Sequence, residues 1–206
     1  MNLKIENFFY EKNTKVSDEK KLKLKIKNII NSFSNNNSFF NQINDCLGLS
    51  IEYKKLHKFK KFNNIIVIGM GGSSLGSSAI YSFFKNKINK NIKFINDLEE
   101  QELNTLTKAK KSKNLFVIIS KSGNTNEILT IINMLGNKII KKTNTIVITE
   151  NKNNELNNFA IKNGITRIPH KKNIGGRFSV LTEVGMLPAF LMGLNINKFK
   201  NDLKKN

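Results

Sequence analysis

The chain has 206 residues, 39% of them hydrophobic, with 15 Phe and no Trp. That supports one compact domain with elaborations rather than two full ones. Basic residues exceed acidic ones by 20 charges, yet only Arg167 and Arg177 are arginines. Lys, Asn, Ile and Phe are all read from A/T-rich codons, so genome bias accounts for the charge and no specific nucleic-acid partner is expected. Cys46 is the only cysteine, which excludes a disulfide framework and a cysteine metal site. Residues 1–10 lack the apolar core of a signal peptide. The longest apolar stretch, Val184 to Ile196, is short for a membrane span and reads as a buried helix. No membrane association is expected, and the location read from these features is cytoplasmic.

In chain order, Ser17 to Phe33 is predicted as a helix. Leu22, Ile26, Ile29, Ile30 and Phe33 share one face, and Ser17 stands as a cap. A second helix is expected through Ile43 to Leu56. From Phe62 the pattern changes to short β-branched runs alternating with helical spacing. Strands are predicted at 65–68, 92–95, 115–119, 145–148 and 165–168. Helices are expected between them, the first carrying Leu75, Ala79, Ile80, Phe83 and Phe84. Asn151 to Asn158 reads as a solvated loop and helix start. The alternation implies an α/β fold, a doubly wound parallel five-stranded sheet flanked by helices, with an N-terminal helical extension. The expected division is residues 1–60 as the helical segment, 61–196 as the ligand-binding domain, and 197–206 as a basic tail.

Three loops carry the chemistry. Gly69-Met70-Gly71-Gly72-Ser73 closes the first strand. It lacks the third glycine of a dinucleotide fingerprint, because Ser74 stands there, and the lysine of a P-loop, because Ser77 does. What remains is a tight turn that presents Gly72 and Ser73 at a helix start. Ser120-Lys121-Ser122-Gly123-Asn124-Thr125-Asn126-Glu127 closes the third strand. Free N–H groups at a helix start favour an anion, and Ser120, Ser122 and Thr125 add hydroxyls. Lys121 belongs to this site through its loop rather than its charge. Glu127 suits the first turn of a helix, or holds the loop or a sugar hydroxyl. Arg177, behind Gly175 and Gly176, offers a permanent planar cation suited to an oxyanion. His57 reads as exposed. His170, a lone loop histidine, is given no catalytic role.

These motifs, in this order, resemble the first half of glucose-6-phosphate isomerase. The Gly175-Gly176-Arg177-Phe178-Ser179 segment, and the helix from Val180 to Ala189 after it, narrow the match from the broader sugar isomerase (SIS) domain. The resemblance covers roughly residues 62–196. It implies interconversion of glucose 6-phosphate and fructose 6-phosphate through a cis-enediol, in glycolysis and gluconeogenesis, with no cofactor and no metal. It assigns the phosphate to Ser120, Ser122 and Thr125 with the Lys121 backbone, the sugar to Gly72 and Ser73, and the enediolate to Arg177. Asn124 stands where relatives often carry threonine. The family's glutamate base, ring-opening histidine and C-terminal lysine lie in segments that nothing here matches, and the family is dimeric. The chain is therefore expected to supply the phosphate side of an isomerase site and to be inactive alone. A stand-alone SIS module that binds sugar phosphates, with a regulatory role, is the alternative.

Overall fold

The computed structural model describes residues 21–28, 52–108, 114–198 and 201. The chain divides into two compact units, Met1–Asn44 and Asp45–Asn206. In the first, helix α1 covers 21–28, within the span predicted from Ser17 to Phe33. The ends of that helix, and residues 43–51 of the second predicted one, lie outside the described residues. In the second unit, α2 is the short Tyr53–Leu56 turn.

All five predicted strands are present: β1 (Asn64–Gly69), β2 (Asn91–Ile95), β3 (Asn114–Ile119), β4 (Thr145–Thr149) and β5 (Thr166–Pro169). They form one parallel sheet in the order β2-β1-β3-β4-β5. Between them run α3 (Gly72–Phe84), α4 (Glu100–Lys108), α5 (Asn126–Ile139) and α6 (Glu155–Lys162). A 3₁₀ segment, Gly176–Leu181, then leads into α7 (Glu183–Leu191).

The alternation of side chains along each strand builds two separate cores. On one face, Ile65, Val67, Leu115, Val117, Ile146 and Ile148 pack with Ile80 of α3 and with α7. On the other, Ile66, Ile68, Phe116, Ile118 and Val147 pack with α4, α5 and α6. Every residue of α7 is buried, as the apolar run from Val184 implies.

One detail departs from the sequence pattern. The buried residues of α3 are Ser74, Ser77 and Ile80, whereas Leu75 and Phe83 are exposed. The reason is a close approach to the 3₁₀ segment, where a Cβ on Gly76 would come within 2.9 Å of Val180 Cβ. Only small side chains fit that contact, so the larger ones turn outward.

The strand order reverses direction between β1 and β3. In open parallel sheets the crevice beyond the carboxyl ends at such a reversal is where ligands bind. Gly69 and Ile119 are register partners. The Gly71 turn and the Ser120 loop therefore leave the sheet side by side, at one level.

Candidate functional site

The Ser120 loop is folded around its own hydroxyls. Ser120 Oγ lies 2.8 Å from Thr125 Oγ1 and accepts the Gly123 N–H at 3.1 Å. Ser122 Oγ is 3.4 Å from the same threonine oxygen and accepts the Asn124 N–H at 3.2 Å. Gly123 has φ +73°, and a Cβ there would sit against the side chain of Asn154. Glycine is therefore required both by the backbone and by its neighbour.

Thr125 is the N-cap of α5, yet its side chain caps no helix N–H. Its hydroxyl is turned to the two serines instead. Two other helices of the sheet domain are capped in the ordinary way: Asn154 accepts from the Asn157 N–H at the start of α6, and Thr182 from the Val184 N–H at the start of α7. The N-cap of α3 is Gly71, with φ 52° and no side chain to cap with. Among the longer helices with a described N-cap, the two left without a side-chain cap, α3 and α5, are thus the two that flank the reversal point. The positive end of each helix attracts an anion, although at α3 the Ser73 and Ser74 N–H groups already donate to Met70 O and Gly71 O.

Gly72 brings the third loop in. A Cβ on it would fall 2.6 Å from Arg177 N and 2.7 Å from Gly176 O, so the two backbones touch. Ser179 is fully buried and donates to Gly176 O at 2.6 Å, which tightens the turn that carries Arg177. Arg177 itself is exposed. Ser73 is partly buried, and its N–H is used by Met70 O at 3.1 Å, so its hydroxyl is what it offers to the crevice. Glu127 is exposed in the first turn of α5.

Lys121 does not aim its ammonium into the loop. Nζ donates to Lys172 O at 2.8 Å and lies 3.6 Å from Glu150 Oε1. This ties the Ser120 loop to the segment leading to Arg177. Glu150 is also paired with Lys152 at 2.6 Å, and that hydrogen bond holds its carboxyl below the usual range.

Three residues do more than their sequence context suggested. Asn124 Oδ1 accepts the Glu155 N–H at 2.9 Å, so it anchors the loop to α6. Asn154 and Asn157 are buried, and their amides donate to Lys152 O at 3.3 and 2.9 Å. The stretch 151–158 is the expected loop and helix start, exposed at Asn151, Lys152, Asn153, Glu155 and Asn158, but Asn154 and Asn157 turn inward and brace the Ser120 loop. An Asn three residues before a second Asn at a helix start was the available signal. His170 is 4% exposed, with Nδ1 2.9 Å from Lys171 O. Burial pushes its pKa down. Among the described residues, no group of His, Cys, Asp or Glu is placed to hold a metal, and no helix is long and apolar enough to cross a membrane.

The profile of the family described as phosphoglucose isomerase matches residues 20–204, nearly the whole chain and all three loops. The chain belongs to the phosphoglucose isomerase family. Among its relatives, the glucose-6-phosphate isomerase of Methanocaldococcus jannaschii is 37% identical over 153 residues, 70% of this chain and 37% of that protein. The enzyme of the same name from Acholeplasma laidlawii is 34% identical over 158 residues, 71% of this chain and 37% of that one. The chain thus spans little more than a third of the curated relatives it matches. Solved structures share the fold. A hypothetical protein from Thermus thermophilus superposes with a TM-score of 0.73 at 23% identity, over 92% of this chain and 48% of that one. A glucose-6-phosphate isomerase from Chlamydia trachomatis gives 0.60 at 24%, over 72% and 29%.

Proposed function

We propose that this chain forms the phosphate-binding side of a glucose-6-phosphate isomerase site. The observation that carries the reading is the pair of helix starts without side-chain caps at the sheet reversal, one of them lined by Ser120, Ser122 and Thr125. In this reading the phosphate of glucose 6-phosphate or fructose 6-phosphate accepts from those three hydroxyls and from N–H groups of the Lys121 loop and the start of α5. The hydroxyl-to-hydroxyl bonds among Ser120, Ser122 and Thr125 give way to charge-assisted ones, which are stronger. Gly72 and Ser73 line the sugar, and Glu127 orients the loop or a sugar hydroxyl.

Arg177 faces the reacting carbons in this account. Moving a proton between C1 and C2 places negative charge on an enediolate oxygen, and a fixed cation lowers the energy of that state. The reaction also needs a base within hydrogen-bond reach of the carbon acid. We assign no residue of this chain to that role. The reading is of a cytoplasmic, homodimeric family in which the base, the ring-opening histidine and a lysine come from other segments, with residues 61–196 as the binding domain.

The test is a coupled assay of fructose 6-phosphate isomerisation with the purified chain. No turnover above the uncatalysed rate is expected. Turnover proportional to protein concentration and abolished by Arg177→Ala would overturn the assignment of an incomplete site.

A further inference from the structure

We propose a second ligand site, at the β4–β5 end of the sheet, that binds a small oxyanion. A surface depression of about 170 Å³, open to solvent, lies there, lined by Thr149, Asn151, Asn157, Arg167, Ile168 and Pro169. None of these residues belongs to the three loops described above. Thr149 and Pro169 are register partners at the carboxyl ends of their strands. Thr149 alternates with Ile148, which places its side chain on the α6 face of the sheet, away from α3 and α7.

Arg167 is one of two arginines in a chain with 35 basic residues. Its Nη1 donates to Asn157 Oδ1 at 2.7 Å, and Asn157, itself buried, is fixed by its bond to Lys152 O. The guanidinium is therefore held in place by a neutral amide. Among the described residues no carboxylate pairs with it. An arginine has five N–H donors in a planar fork, suited to two oxygens of one anion.

The second observation is independent of the first. Thr149 is 3% exposed, and its Oγ1 has no hydrogen-bond partner among the described residues. A buried hydroxyl without a partner is costly. A ligand oxygen beside Arg167 would relieve that cost, and Asn151 adds a side-chain amide to the same wall. Glu150, the nearest acidic neighbour in sequence, is already engaged by Lys152 and Lys121. The net charge of +20 favours an anion at long range. The polar lining selects the ligand class: an arginine fork, a threonine hydroxyl and side-chain amides suit a phosphate group or a short carboxylate.

The experiment is a side-chain NMR titration of the full 206-residue chain at moderate salt, with inorganic phosphate and, separately, succinate. It is run in the Ser120→Ala/Thr125→Ala background, so the first site does not contribute and the outcome does not depend on it. Saturable shifts of the Arg167 Nε–H and of the Asn151 and Asn157 amide resonances are expected with at least one probe. Saturation by phosphate alone identifies a phosphate ligand, and by succinate alone a carboxylate. Arg167→Gln, at an exposed position, should weaken binding about tenfold or more. Thr149→Val should also weaken it, while leaving the thermal midpoint unchanged or raised. Non-saturating shifts spread over surface lysines, or equal affinity in both variants, would overturn the proposal.

Discussion

Replacing Gly72 with alanine tests whether the Gly71 turn and the Arg177 segment are held together by backbone contact. In an ordinary helix start the change would be neutral or favourable, by at most about 1 kcal/mol. Here the new methyl would lie 2.6 Å from Arg177 N and 2.7 Å from Gly176 O. These are backbone atoms, with no flexible side chain to swing aside. Overpacking of this kind costs about 1–3 kcal/mol. With a urea m-value of about 2 kcal/mol/M, the midpoint should fall by roughly 0.5–1.5 M. Gly175→Ala is the matched control, because a Cβ there meets only Phe178 Cδ2 at 3.7 Å. It should stay within about 0.5 kcal/mol of the parent. Urea unfolding followed by circular dichroism reads both. A Gly72→Ala chain as stable as the parent would refute the close apposition of the two loops, and with it the placement of Arg177 beside the crevice.

Gly123→Ala combines a φ of +73° with a Cβ 2.7 Å from Asn154 Nδ2, so its thermal midpoint should fall, by about 1–3 kcal/mol of stability. Asn124→Ala removes the acceptor for the Glu155 N–H and should cost about 1 kcal/mol in the same assay. The buried His170 has its pKa lowered from 6.5, first by burial, with Lys121 adding to it and the hydrogen bond to the Lys171 carbonyl, then Glu150 and Glu183, opposing. The unfolded chain then takes up the proton first as pH falls, so the stability held above pH 6.5 is lost on acidification towards the lower folded value. His170→Gln should flatten that acid-side loss in unfolding curves measured between about pH 7 and 5, and an unchanged slope would contradict the assignment.

The strands were legible because buried parallel strands read as unbroken apolar runs, such as Leu115 to Ile119. The Gly71 turn and the Ser120 loop were legible as strand-to-helix junctions because their glycine and hydroxyl residues directly follow an apolar strand run. Strand order was not legible. Nothing local in the sequence says that β1 lies between β2 and β3, and the reversal that makes the crevice follows from that order. The outward face of α3 was hidden for a related reason: Leu75 and Phe83 have helical spacing, but Gly76 must approach Val180, a partner far along the chain. Asn154 and Asn157 looked like solvent-facing polar residues in an asparagine-rich chain, and Asn124 like a bare replacement for threonine. Their roles come from backbone groups brought to them by the fold.

The central claim is that the Ser120 loop holds the phosphate of a sugar phosphate. Calorimetric titration with fructose 6-phosphate tests it most directly, with fructose as a control, on the Arg167→Gln chain so that only the loop site contributes. The account predicts saturable one-site binding, no heat with fructose, and a loss of about a hundredfold or more in Ser120→Ala/Thr125→Ala through two missing charge-assisted hydrogen bonds. Undiminished affinity in that double variant, or no binding by a chain shown to be folded, would contradict it.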